Sequence, residues 1–135
     1  MLPIKHVTIH CAATPEGRDV KMADLNKWAI ARFGQKSYHY IIELDGSVRY
    51  NLRHDQIGAH TGGKNTGNLG ICYVGGMDKD MKKAKDTRTP AQKASLKRLV
   101  ADLRLKYPNI TVRGHRDWPG VKKDCPSFDV QKEFK

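Results

Sequence analysis

The sequence predicts a single α/β domain in which a mixed central β-sheet is flanked by helices. Short apolar segments of strand length alternate with segments of helical periodicity along the whole chain. At 135 residues, with 39% hydrophobic and 29% charged side chains, the chain can form one sizeable globular core without disulfide staples. No repeat, low-complexity tract or linker interrupts it, so residues 1–135 are predicted to form one domain.

The first elements are a strand and a helix. Residues 5–11 alternate between two faces and predict a strand that ends before Pro15, which places His10 near its C-terminal end. Functional groups gather at that end of the strands in α/β sheets. Residues 22–33 carry an apolar stripe at helical spacing and stop at Gly34, so a helix with a core-facing stripe is predicted.

A hairpin, a loop and a buried strand follow. Residues 38–44 and 47–50 predict the two hairpin strands, because Asp-Gly at residues 45–46 favours a two-residue turn. The polar, glycine-rich residues 51–69 predict a long functional or mobile loop, and residues 70–74 predict a buried strand.

The last third begins with a lysine-rich segment, residues 77–88, which is typical of a solvated surface loop. Residues 89–92 form a capping box with proline at the first helical position, so a helix that ends before Pro108 is predicted. Its core face consists of Leu96, Leu99, Val100 and Leu103. Residues 110–113 predict a final strand, and Ser127 is predicted to cap a short helix that runs through Phe134.

Composition narrows the class of protein. A net charge of +11 favours polyanionic partners such as nucleic acid, anionic headgroups or cell-wall polymers. No apolar run approaches the ~20 residues of a membrane helix, and the first residues lack a signal-peptide pattern. Three cysteines do not suggest a disulfide framework: Cys11 and Cys72 read as buried thiols, whereas Cys125 lies in a loop with potential ligands.

One triple of side chains could bind a metal ion. A catalytic zinc site needs about three protein ligands and an open position for water. His10 at a strand end, with His115 and Cys125 from one turn-rich loop, provides two imidazoles and a thiolate. The spacing alone leaves the alternative that both histidines are hydrogen-bonded structural residues and that Cys125 is a buried thiol.

Six blocks of sequence give this triple a context. In chain order they are Thr8-Ile9-His10-Cys11-Ala12-Ala13-Thr14, Ser37-Tyr38-His39-Tyr40-Ile41-Ile42, Leu44-Asp45-Gly46, Gly70-Ile71-Cys72-Tyr73-Val74-Gly75-Gly76, Arg113-Gly114-His115 and Cys125-Pro126-Ser127-Phe128-Asp129. From about Ile4 to Phe134, the chain resembles the zinc-dependent N-acetylmuramoyl-L-alanine amidases of type 2. That family shares its fold with peptidoglycan recognition proteins, and the similarity is greatest to short single-domain phage endolysins.

The resemblance implies roles for five residues. The zinc ligands of the family fall on His10, His115 and Cys125, its catalytic tyrosine on Tyr38 and its catalytic lysine on Lys123. Zinc-activated water would attack the amide that joins N-acetylmuramic acid to L-alanine. The tyrosine would orient that water, and the lysine would stabilise the oxyanion.

Other assignments in and around the ligand loop are less direct. Lys122 is the alternative catalytic lysine, because the loop before Cys125 is longer than in the nearest phage relatives. The resemblance places His60 at a family position near the substrate cleft, so it either contacts the substrate, supports a residue of the site from behind, or is an ordinary surface histidine. His39 is read as structural, and Trp118 as packing the ligand loop down.

The resemblance also implies a biological setting. We expect a monomeric peptidoglycan hydrolase of phage or prophage origin that stays in the host cytoplasm until it is released to the wall, where its basic surface contacts anionic polymers. One alternative is a binding module of the same fold without catalysis, against which the full set of ligands and catalytic residues argues. The other is a nucleic-acid-binding protein, for which no recognition helix or stacking platform is present.

Overall fold

The computed structural model describes residues 3–135 and confirms an α/β architecture with a mixed central sheet. Seven strands, three α-helices and a 3-10 helix make up the fold. In chain order they are β1 (His6–Cys11), β2 (Thr14–Pro15), α1 (Met22–Phe33), β3 (Tyr40–Ile42), β4 (Val48–Tyr50), β5 (Asn68–Tyr73), β6 (Gly76–Met77), α2 (Pro90–Lys106), β7 (Thr111–Gly114), the 3-10 helix (His115–Asp117) and α3 (Val130–Glu133).

The main sheet has five strands in the order β4-β3-β5-β1-β7. Strand β1 lies between β5 and β7 and is parallel to both, and β3 is parallel to β5. Only β4, the second strand of the hairpin, is antiparallel to its neighbour. Thr8 and His10, on the polar face of β1, are as buried as its apolar residues because helices cover both faces of the sheet. Strands β2 and β6 pair with each other and form a separate two-stranded sheet.

The two faces of the sheet carry different cores. Helices α2 and α3 cover the larger core, which contains Val7, Ile9, Ile42, Leu69, Ile71, Tyr73, Leu96, Leu99, Val100, Leu103, Phe128, Val130 and Phe134. Helix α1 covers a smaller one made of Val20, Leu25, Ile41, Cys72 and Val74. Because side chains alternate along β1, His10 projects on the side of α1, in register with Cys72 of β5.

The predicted capping box of α2 is confirmed. Thr89 Oγ1 accepts the Gln92 backbone N–H at 3.0 Å, and Gln92 Oε1 accepts the Thr89 backbone N–H at 2.9 Å. Gln92 is fully buried, and its amide nitrogen also donates to the carbonyl oxygens of Ile42 and Val74. The start of α2 is therefore anchored to two adjacent strands of the sheet.

Several local predictions were wrong. The hairpin turn encloses three residues, since Glu43 N donates to Ser47 O at 3.0 Å. Asp129, not Ser127, caps α3, because its Oδ1 accepts the Lys132 N–H at 3.1 Å. Ser127 instead has a φ of +71° and donates its hydroxyl to Gly76 O at 2.9 Å.

Two surface predictions also need correction. The stripe of α1 is only half buried: Leu25 and Ala29 face the core, but Trp28 and Phe33 are 44% and 51% exposed. The lysine-rich loop is mostly solvated, yet it ends in the buried Arg88. No helix among residues 3–135 has the length and apolar character needed to cross a bilayer.

Candidate metal centre

The side chains of His10, His115 and Cys125 come together at the C-terminal edge of the sheet. One ligand atom from each lies within 4.8 Å of the others. His10 is at the end of β1, and His115 directly follows β7, the parallel neighbour of β1. Parallel strands end at the same edge of a sheet, so residues far apart in sequence meet there.

Cys125 reaches the cluster because its loop folds back onto β1. Its Sγ accepts the Cys11 backbone N–H at 3.2 Å, and its carbonyl accepts the Arg116 N–H at 2.9 Å. Gly114 allows this close approach, since a Cβ there would lie 2.7 Å from Pro126 Cδ. The loop is thus held against both ligand-bearing strands.

The geometry suits a tetrahedral cation. His10 Nδ1 and Cys125 Sγ are 3.8 Å apart. With Zn–N near 2.0 Å and Zn–S near 2.3 Å, a tetrahedral zinc would separate such a pair by about 3.5 Å. Two imidazoles and one thiolate also match the donor set of a catalytic zinc site that keeps one position open.

The electrostatic environment keeps both imidazoles neutral, as metal binding requires. Burial lowers the pKa of His10 well below 6.5, and the positive charges of His60, His115 and Lys123 would add to this effect. Burial lowers the pKa of His115 as well, and Lys123 again contributes. Neutral rings leave a nitrogen lone pair available for coordination.

Cys11 is a neighbour of the site whose environment the sequence did not reveal. It is buried, as predicted, and its backbone N–H donates to Cys125 Sγ. The Cys125 thiol beside it lowers the pKa of Cys11, and the pKa of Cys125 is raised, because two adjacent thiols do not ionise together readily. A cation on Cys125 reverses this preference, since a coordinating thiol is deprotonated outright.

The cluster forms the floor of an open cleft of about 460 Å³. Tyr38 lines the cleft beside His10, with ring centroids 5.2 Å apart. Burial raises the pKa of Tyr38 well above 10, so its hydroxyl keeps its proton. Lys123 also lines the cleft, whereas Lys122 is not among the lining residues.

The remaining predicted residues have clear positions. His60 lines the cleft but is only 9% exposed, and its Nδ1 lies 2.9 Å from His10 Nε2. His39 is structural, as predicted: its Nε2 bonds to Gln56 O, and its Nδ1 accepts the Gly70 N–H.

Trp118 packs the ligand loop down, as predicted. It is 7% exposed and donates its Nε1–H to Thr8 Oγ1 at 2.9 Å. The guanidinium carbon of Arg113 lies 4.3 Å from the centroid of the Trp118 ring.

Sequence reasoning missed the cleft wall formed by Arg32 and Phe33 at the end of α1. The helical spacing of Phe33 was the misleading signal, because it assigned that ring to the core.

The edge of the parallel sheet thus brings together two histidines and a cysteine that could hold a metal ion beside an open cleft. The family model for N-acetylmuramoyl-L-alanine amidases matches residues 1–128. The chain belongs to this family, whose members hydrolyse peptidoglycan.

Individual relatives agree with this assignment. The chain is 35% identical over 127 residues to the endolysin of Enterobacteria phage T3. This match covers 93% of this chain and 82% of that relative. Its fold is similar to the amidase LysC of Clostridium intestinale, with a TM-score of 0.77, 22% identity, and coverage of 98% and 82% of the two chains. It is also similar to Drosophila PGRP-LB, with a TM-score of 0.75, 22% identity, and coverage of 93% and 76%.

Proposed function

We propose that this chain is a phage or prophage endolysin whose single catalytic domain, residues 1–135, cleaves the amide between N-acetylmuramic acid and L-alanine. The observation that carries the proposal is the convergence of three ligand atoms within 4.8 Å on the floor of an open cleft. A zinc ion held by His10, His115 and Cys125 would activate water and polarise the amide carbonyl.

Side chains of the cleft would complete the chemistry. Tyr38, kept protonated by burial, would orient the attacking water through its hydroxyl. Lys123 is exposed on the cleft wall, where its ammonium can approach the oxygen that gains negative charge as the amide is attacked. Arg32 is a second cation on the wall, and the described lining residues include no acid, which suits an acidic peptide stem.

The test is chemical identification of the bond that is cut. Purified walls are digested with the protein as prepared, after chelation, and after zinc is restored. We expect zinc-dependent release of stem peptides with a free L-alanine amino group and no new reducing sugar ends. New reducing ends would indicate a glycosidase, and bound zinc without cleavage would indicate a binding module.

A groove of about 410 Å³ beside α2 supports a contact with anionic wall polymers. Lys93, Lys97 and Arg104 line it. The acidic residue of the groove, Glu133, is already paired with Arg88 through bonds of 2.6 and 2.8 Å. The groove therefore presents positive charge, which attracts phosphate or carboxylate polymers.

Wall binding at increasing salt would test this surface. The double variant Lys93→Gln/Lys97→Gln should reduce retention on walls but leave hydrolysis of a soluble muropeptide unchanged. The variant Lys79→Gln/Lys82→Gln removes the same charge from an exposed loop and serves as the control. Equal losses would show that the attraction is spread over the surface. Sedimentation of the same samples would test the expected monomer.

The proposed route to the wall is release from the host cytoplasm at lysis, as the T3 relative is an endolysin. Expression of this chain alone should leave host cells intact, and co-expression with a membrane-permeabilising phage protein should lyse them. Lysis by this chain alone would show that it reaches the wall by a route of its own.

A further inference from the structure

A buried line of polar groups connects β5 to the metal centre. His60 Nε2 lies 2.9 Å from the backbone oxygen of Asn68, and His60 Nδ1 lies 2.9 Å from His10 Nε2. Both imidazoles are buried, with exposures of 2% for His10 and 9% for His60. Groups buried this deeply need every hydrogen bond to pair one donor with one acceptor.

That requirement fixes the position of each proton. A carbonyl oxygen only accepts, so His60 Nε2 carries the hydrogen that points to Asn68. In a neutral imidazole the other nitrogen then accepts, which makes His60 Nδ1 the acceptor for His10 Nε2–H. His10 is left with its lone pair on Nδ1, the atom that lies 3.8 Å from Cys125 Sγ.

We propose that His60 is a positioning residue, which fixes the tautomer and ring orientation of His10 so that Nδ1 is the metal-binding atom. This inference rests on the proposed metal centre and adds to it the residue that prepares one ligand. Outer-shell partners of this kind orient metal-binding histidines and typically change metal affinity by roughly 10–100-fold when they are removed.

The position of His60 is itself fixed by contacts with neighbouring residues. Asn65 Oδ1 accepts the backbone N–H groups of His60 and Thr61, at 3.1 and 2.7 Å. Thr61 Oγ1 is a second partner for Nδ1, at 3.0 Å. Gly70 leaves space for the ring, since a Cβ there would lie 2.8 Å from it.

The hydrogen bonds of His60 favour a positioning role over the substrate-binding role that the sequence also allowed. Both nitrogens of His60 have partners within the protein, so a substrate would gain a bond only by breaking one of them. A residue that contacts substrate would affect KM, whereas a residue that orients His10 affects metal affinity without any substrate present.

The direct test is the protonation state of His10 in the zinc-loaded protein. Long-range ¹H–¹⁵N spectra of the imidazoles should show a hydrogen on Nε2 and none on Nδ1 of His10. The reverse tautomer would overturn the proposal. This measurement needs no substitution, so it does not depend on the folding of a variant.

Zinc affinity, measured by competition with a chromophoric chelator, provides the second test. His60→Ala should raise the zinc dissociation constant roughly 10–100-fold. His60→Gln can still accept from His10 and donate to Asn68, so it should lose less. Gly70→Ala should weaken binding by crowding the ring.

His39→Ala is the matched control, because this histidine is also buried and bonded through both ring nitrogens but has no hydrogen bond to His10. It should leave zinc affinity within about threefold of wild type. Equal losses for His39→Ala and His60→Ala, or an unchanged affinity in folded His60→Ala, would refute the positioning role. Failure of the wild-type protein to bind zinc would instead refute the proposed metal centre.

Discussion

Removal of Cys125 should take away most of the stabilisation that we expect bound zinc to give to the fold. At a zinc concentration 100 times the dissociation constant, binding stabilises the folded state by about 2.7 kcal/mol. For a chain of 135 residues, each kcal/mol raises Tm by about 3–5 °C. Zinc should therefore raise the Tm of the chelated wild-type protein by roughly 10 °C.

Cys125→Ala takes away one of the three ligands and the only sulfur among them. If the dissociation constant rises 100-fold, the same zinc concentration contributes only about 0.4 kcal/mol. The Tm shift then falls to about 1–2 °C. In the zinc-free protein the same change removes the acceptor of the Cys11 N–H, which costs about 1 kcal/mol.

Calorimetric scans of chelated protein, with and without added zinc, measure both effects. Cys72→Ala is the control, because Cys72 is a fully buried thiol in register with His10 but lies outside the ligand set. It should unfold at a lower temperature and keep the full zinc shift. A full zinc shift in Cys125→Ala would refute the assignment of that thiol as a ligand.

Three further outcomes follow from the structure. Lys123→Ala should lower kcat for muropeptide hydrolysis roughly 10²–10³-fold, whereas Lys122→Ala, outside the cleft, should change it little. Arg88→Gln should destabilise the fold by about 2 kcal/mol in urea titrations, which is less than the roughly 3–5 kcal/mol of a fully buried pair because its partner Glu133 is partly exposed. Acid should weaken the fold, because burial lowers the pKa of His39 below 6.5: the neutral ring stabilises fully above pH 6.5, and this contribution is lost as the pH falls through the lowered pKa. His39→Gln should make the dependence of unfolding free energy on pH less steep below 6.5, and His10 and His115, whose pKa values burial also lowers, should account for part of the remaining slope. An equal slope in wild type and variant would exclude His39 as a contributor.

Local signals predicted α1 and α2 well. The bounds of α1, its stop at Gly34 and the capping box of α2 all agree with the structure. These features depend on residues within a few positions of one another, so a single sequence contains them. The order of the strands in the sheet does not depend on neighbouring residues in this way, because β1 pairs with segments about 60 and 105 residues away.

The candidate site illustrates the same limit. Nothing in the spacing of His10, His115 and Cys125 distinguishes them from other triples among the histidines and cysteines. Their convergence depends on β1 and β7 being parallel neighbours, and the ordered blocks of the family supplied that information indirectly. The link from His60 to His10 was beyond sequence reasoning, because it depends on a side chain filling the space above a glycine on β5.

The contrast between the ligands and the lysine suggests how the site divides its tasks. His10 is buried and connected through His60 to the backbone of the sheet, so the metal-binding atoms are held before substrate arrives. Lys123 is exposed on the loop that also carries Cys125. A metal centre loses affinity when its geometry loosens, whereas an ammonium acts through charge and tolerates some movement. In the proposed site, the buried strand ends would therefore hold the metal ligands, and the exposed ammonium of Lys123 would act through its charge in the cleft.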